Sequence, residues 1–137
     1  MSNLKGRRRK GFNTERELVN IFLSKGVWAT RIPVSGISQP LPDVLAVKSG
    51  KLYGFEVKRT DKPTIYYLKD FDNTIKWFQA MSKENVSAEA WLAVRFRGKK
   101  WRFYPLNENT TSVKVNINVG LSLSQFLLRI LKDNSSG

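Results

Sequence analysis

The 137-residue sequence contains no cysteine and no histidine, and these two absences remove several common chemistries. Without cysteine there is no disulfide framework, no thiolate nucleophile and no thiolate metal site; without histidine there is no His-based triad and no zinc site of the usual kind. Any metal must be held by oxygen ligands, the preference of magnesium and manganese. Long apolar runs are missing too. Hydrophobic residues make up 41% of the chain but nowhere form a long uninterrupted run, so no membrane-crossing helix is expected. Met1 to Lys10 is basic and lacks the apolar stretch of a secretory signal, which makes a cytoplasmic setting the expectation. Acidic residues are scarce: 11 Asp/Glu stand against 24 Lys/Arg, a net charge of +13 that points to a polyanionic partner. Nucleic acid fits better than an anionic membrane surface, because the basic residues are spread along the chain and do not line one amphipathic helix.

What is present suits one compact domain. Residues 1–11 read as a basic arm carrying Lys5, Arg7, Arg8, Arg9 and Lys10, either solvated or in contact with nucleic acid. From Phe12 to Lys25 the apolar residues recur at helical spacing, with Thr14 and Glu17 placed as a capping box and Gly26 as the stop. Val27 to Ile32 is a short strand-like run ended by Pro33, and Ser35 to Pro42 is a Gly/Ser/Pro loop. Val44 to Lys48 and Lys51 to Lys58 form a hairpin about Ser49-Gly50. After a polar stretch, Leu68, Phe71, Ile75 and Phe78 mark a second helix ending near Asn85. Glu89 to Phe96 and Lys100 to Tyr104 form another hairpin about Gly98, Val113 to Ile117 alternates like an edge strand, and Leu123 to Leu131 is a last amphipathic helix before the polar tail 134–137. Helices that interrupt strands imply an α/β domain over 12–133, with a central mixed sheet covered by helices.

A two-residue turn at Ser49-Gly50 fixes the register: Lys48 faces Lys51, Val47 faces Leu52, and, carried outward, Asp43 faces Glu56. Facing residues lie on the same side of a sheet, about 5 Å apart at Cβ. Lys58, two residues beyond Glu56, shares that side. Like charges placed opposite each other are destabilising, and a divalent cation would compensate; magnesium is commonly held by one or two carboxylates, water and substrate phosphate. Such a metal would activate water and polarise a phosphodiester, with Lys58 orienting the water or stabilising charge. Glu15, early in the first helix, is the candidate third carboxylate. The same residues also fit a solvated strand face preceded by a Pro-Asp turn.

Pro42-Asp43 followed after a hairpin by Glu56-Val57-Lys58 resembles the PD-(D/E)xK nuclease motif. Combined with Gly11 to Val19, Arg31-Ile32-Pro33-Val34-Ser35-Gly36 and Pro40-Leu41-Pro42-Asp43-Val44, it is similar to the archaeal-type Holliday junction resolvases, cellular or viral. The match is strongest over 5–60 and extends more loosely to Trp101-Arg102-Phe103 and the last helix. The resemblance implies a restriction-endonuclease-like fold and a homodimer that nicks opposed strands of a four-way DNA junction, using Mg2+ or Mn2+ and no small-molecule cofactor. It implies that Glu15, Asp43 and Glu56 bind the metal, joined by the Val57 carbonyl, that Lys58 is catalytic, and that Arg16, Arg31 and Ser35 approach the DNA. The wider nuclease family often carries a Gln early in the helix after E-x-K; this chain has Lys69-Asp70-Phe71-Asp72 there.

Arg95, Arg97, Lys99, Lys100 and Arg102 cluster about Gly98 and either track phosphates or form a solvated tip. Trp28, Trp77, Trp91 and Trp101 are expected mainly in the core or at an interface, with stacking on splayed bases as the alternative, and Phe71, Trp77, Phe78 and Met81 are candidates for a dimer surface or for core packing. Two rival functions share these features: a nuclease of the same scaffold acting on duplex, flap or nicked DNA, and a basic DNA-binding protein without catalysis.

Overall fold

Ser49 and Gly50 both take positive φ, 49° and 82°, as a tight two-residue hairpin turn demands, and they join β2 (Val44–Lys48) to β3 (Lys51–Arg59). The ladder runs from Lys48 opposite Lys51 to Val44 opposite Phe55, the register read from the sequence. The computed structural model describes residues 3–33 and 39–132, with side chains described from residue 13 onward. β1 (Trp28–Arg31) adds antiparallel to β2, and β5 (Ala88–Phe96) adds parallel to β3. β6 (Lys100–Leu106) and the short β8 (Leu121–Ser122) complete a six-stranded mixed sheet of order β1-β2-β3-β5-β6-β8. A second, two-stranded sheet pairs β4 (Thr64–Leu68) with β7 (Ser112–Asn116).

The alternation of β5 divides the core in two. Trp91 and Ala93 face α1 (Asn3–Ser24) and α3 (Leu123–Lys132), where Leu18, Phe22, Phe55, Phe103, Phe126 and Ile130 are fully buried. Phe126 stacks on Phe103 at 4.3 Å between ring centroids and meets Phe55 and Trp91 edge-on. Burying a ring of this size stabilises the fold by about 1.5–3 kcal/mol. Ala90, Leu92 and Val94 face the opposite way, toward α2 (Asp72–Lys83) and the β4–β7 pair, in a core that includes Tyr67, Phe71, Ile75 and Val115. Parallel pairing of β3 with β5, bridged by α2, is the unit that a helix between two strands favours.

Several elements differ from the sequence reading. Helix α1 starts at Asn3, so its backbone runs through the stretch read as an arm; Thr14 is a buried interior position, not a cap. The polar stretch after Thr60 contains β4, and Leu68 belongs to that strand, exposed, not to α2. The Val113–Ile117 pattern is a strand, but it pairs with β4 outside the main sheet. Trp77, Trp91 and Trp101 are buried as expected, whereas Trp28 is 55% exposed. Phe71 and Trp77 are core residues, which removes them from any dimer surface; Phe78 and Met81 are half-buried. The tail 134–137 lies outside the described residues.

Candidate active site

Asp43 stands one residue before β2. Its N–H donates to the Phe55 carbonyl at 2.9 Å, and its Oδ2 accepts the Val57 N–H at 2.9 Å. The paired ladder stops at Val44 and Phe55, so Asp43 is not the direct cross-strand partner of Glu56 that the register, carried outward, predicted. The chain instead turns the Asp43 carboxylate onto the β3 backbone just past Glu56. The two carboxyls still meet: Asp43 acts on Glu56 both through its charge and through a hydrogen bond between the side chains.

Glu56 is 9% exposed. Its Oε1 accepts the Thr74 hydroxyl of α2 at 3.3 Å, and its Oε2 lies 3.4 Å from Lys58 Nζ. Burial, then the Asp43 charge, push the Glu56 carboxyl up to about 8 against the opposing pull of Lys58. Glu15 reaches the same centre from α1. Its pKa is raised by burial and by Asp43, while Arg31, whose Nε is 3.0 Å from Glu15 Oε1, and Lys58 pull it down. Asp43 and Lys58 thus act electrostatically on both glutamates, and four side chains from α1, β3 and the loop end before β2 share one site.

Among the described residues, no three acidic groups stand close enough together to form a ready metal cage. Glu15 is turned toward Arg31 and one Asp43 oxygen is taken by Val57. The donor set nevertheless suits a hard divalent cation of the magnesium type, which keeps much of its water and needs only one or two carboxylates beside substrate phosphate. A buried Glu56 carboxyl whose pKa is raised by burial and by the half-buried Asp43 beside it has a standing demand for positive charge.

Three of the residues expected to face DNA can be placed. Arg16 is exposed beside Glu15, and Arg31 is half-buried in its ion pair with Glu15. Arg95 does not join the exposed cluster at Gly98. It is 9% exposed and its Nε donates to Glu17 Oε2 at 2.9 Å, an oxygen that also accepts the Trp101 indole N–H at 3.1 Å. The alternation of β5 turns Arg95 under α1, where the apolar rings leave a charge only if a partner is present. Ser35 and the side chains of Arg7, Arg8, Arg9 and Lys10 lie outside what the structure describes.

Two neighbours of the site had no sequence signal. Thr74 is fully buried in the first turn of α2 and supplies a donor to Glu56, and Tyr67 places its ring 6.0 Å from Lys58 Nζ. Only an accurate start for α2 would have brought Thr74 to notice, because Lys69 to Phe71 belong to the turn and the helix begins at Asp72.

Comparison with known proteins identifies the family. A family model described as archaeal Holliday junction resolvase matches residues 6–134. The chain is 34% identical over 119 residues to a crossover junction endodeoxyribonuclease Hje of Sulfolobus acidocaldarius, covering 85% of this chain and 84% of that protein. It is 32% identical over 98 residues to crossover junction endodeoxyribonuclease Hjc of Archaeoglobus fulgidus, covering 71% and 69%. A crystal structure of Archaeoglobus fulgidus Hjc, a Holliday junction resolvase, superposes with a TM-score of 0.67 at 23% identity over 86% of this chain and 95% of that one, which establishes the shared fold. With two thirds or more of each relative covered and the family model spanning nearly its whole length, the chain belongs to the archaeal Holliday junction resolvase family.

Proposed function

We propose that this protein is an endodeoxyribonuclease that resolves four-way DNA junctions, cutting opposed strands as a symmetric dimer with a divalent metal, Mg2+ or Mn2+, at the Asp43–Glu56 centre. The observation that carries the reading is the convergence of Glu15, Asp43 and Glu56 on Lys58, in a chain of this family. Asp43 and Glu56 would hold the metal, with Glu15 joining once Arg31 turns to a phosphate, and the Val57 carbonyl is a further oxygen at the same place. When bound, the metal supplies Lewis acidity and a water ionised near neutral pH. Lys58, 3.4 Å from Glu56, is positioned to stabilise charge on the leaving or attacking oxygen. Thr74 and Lys58 hold the two Glu56 oxygens in place, and Val57 orients Asp43. Arg16, Arg31, Ser35 and the basic stretch Arg7 to Lys10 are assigned to phosphate contacts, which position DNA without reading its sequence. A two-fold symmetric enzyme matches a junction with near two-fold symmetry and sets two cuts at a fixed separation.

The test is a gel assay of cleavage on a four-way junction and on a linear duplex of matched sequence, with and without Mg2+. Junction cleavage that needs the metal and exceeds duplex cleavage supports the proposal. Equal cleavage of both substrates would favour a general duplex nuclease, and binding without any cleavage would leave a non-catalytic DNA-binding protein. Asp43→Asn is expected to retain under one hundredth of wild-type cleavage, since even outer-sphere changes cost about 10–100-fold at metal sites. It should bind the junction as well as wild type or better, because a negative charge near phosphate is removed. Binding lost together with cleavage would contradict the assigned role.

A further inference from the structure

β3 and β5 run parallel, with Lys58 paired to Val94 and Arg59 to Arg95, so the turn that follows β5 emerges at the same end of the sheet as the Glu56–Lys58 centre. The Thr60 N–H, donated to the Arg95 carbonyl at 3.1 Å, ties the two strand ends together. That turn, Arg97–Lys99, carries exposed Arg97 and Lys99, and Lys100 follows at the start of β6; Arg59 is exposed beside them. Among the described residues none of these four cations takes part in an ion pair, unlike Arg31, Arg95 and Arg129, each of which is held by a glutamate. A shallow hollow of about 230 Å³ opens at the foot of the turn, lined by Lys99, Lys100 and Arg102 with Ser122 and Ser124. Arg102 is fixed there by donating to the Ile117 and Gly120 carbonyls.

We propose that this turn and its hollow form a phosphate-binding surface that carries a duplex arm away from the active site. The assignment rests on the nuclease reading above and specifies where on the protein the substrate lies. Arg97 is three residues past the partner of Lys58, which at about 3.3 Å per residue and a strand spacing of about 4.8 Å puts the two Cα atoms roughly 11 Å apart. DNA rises about 3.4 Å per nucleotide on each strand, so the surface reaches a phosphate about three nucleotides from the scissile one. Exposed cations without an acidic partner among the described residues, and two hydroxyls, suit phosphate oxygens.

The experiment measures junction affinity in EDTA, where cutting is suppressed, as a function of salt concentration. Wild type is compared with Arg97→Gln/Lys99→Gln/Lys100→Gln and with Lys25→Gln/Lys83→Gln, whose lysines are exposed at the opposite end of the sheet. Each lost phosphate contact lowers the slope of log affinity against log salt by about 0.9. The triple variant should lose up to about 2.7 from the slope and bind at least about tenfold more weakly at 0.1 M salt, with the double variant unchanged. A neutral methylphosphonate placed three nucleotides from the cut should weaken wild-type binding and leave the triple variant unaffected. A triple variant with the wild-type slope, equal slope losses in both variants, or equal sensitivity of wild type and triple variant to the methylphosphonate would each overturn the assignment. Wild type that neither binds nor cuts the junction would instead remove the nuclease reading itself.

Discussion

Glu56 is central to the proposed chemistry, and its surroundings set a sign that can be measured. Its folded pKa, about 8, lies above the ordinary carboxyl value of 4.5, first through burial and then through Asp43. A carboxyl raised in this way adds stability while it stays protonated; that contribution is complete below the unfolded value and disappears as pH rises through the folded one. The metal-free protein should therefore melt lower, relative to Glu56→Gln, as pH is raised from about 5 to about 8.5, with the difference on the order of a few kcal/mol. Thermal unfolding of both proteins in EDTA across that range checks it; parallel curves would mean Glu56 is ionised throughout. Thr74 makes the second residue-scale prediction. Valine has its shape but no donor, so Thr74→Val should weaken Mn2+ binding and junction cleavage by about 10–100-fold, and Thr74→Ser should restore most of both. Titration of metal into each variant separates a misplaced Glu56 from a damaged fold. The turn at Ser49-Gly50 made it legible that Asp43, Glu56 and Lys58 lie close together, although Asp43 leaves the ladder and is not the direct partner of Glu56 that the register predicted. Thr74 was not, because a hydrogen bond from a helix to a strand eighteen positions away leaves no local pattern. Arg95 was misread for a related reason: composition marked it as one of a basic cluster, but the pleat of β5 decides which way each cation points.

At the scale of elements, one glycine sets how closely α2 approaches the sheet. Gly54 and Glu56 are two apart on β3 and so face the same side, the side of α2. The Trp77 ring lies flat enough on Gly54 that an added Cβ would meet its Cε3 at 2.7 Å, too close without movement. This contact lets Thr74, one turn earlier on α2, reach Glu56. Gly54→Ala is expected to cost about 1–3 kcal/mol in stability as the ring and helix are displaced. It should also reduce cleavage in the surviving folded protein, by loosening the Thr74–Glu56 bond. Denaturant unfolding together with metal binding reports both effects; a stable variant with full metal affinity would show that α2 can shift without cost. Hairpins and amphipathic helices were readable because turn residues and apolar periodicity are local. The β4–β7 pair was not, since its strands lie more than forty residues apart and β4 carries Tyr66 and Leu68 exposed, without the apolar alternation of a half-buried strand. The start of α1 was hidden because a helix rich in arginine and lysine shows little apolar periodicity in its first turns.

The whole molecule carries +13 in 137 residues while four of its few glutamates are committed to ion pairs with Arg31, Lys51, Lys58, Arg95 and Arg129. Lys/Arg outnumbers Asp/Glu by more than two to one, so a surplus of cations faces solvent, and in the proposed dimer a second copy would have to approach through a surface that does not oppose like charges at close range. In that dimer a bound DNA junction would neutralise part of the positive surface and lower the repulsion between the copies. Dimerisation and junction binding should then reinforce each other. The consequence is testable on a supercoiled plasmid that extrudes a cruciform. A dimer holding two active sites on one junction cuts both strands before the torsional strain is lost, giving linear DNA, whereas independent sites leave a nicked circle from which the cruciform has been reabsorbed. Wild type is expected to give mainly linear product from the first time points. Equimolar mixing with Asp43→Asn, allowed to exchange subunits, should shift the product toward nicked circles in proportion to the mixed dimers formed. If wild type accumulates nicked circles first and linear DNA only later, the two cuts are made by separate encounters, and the paired-site reading fails while the single-site chemistry at Glu56 stands.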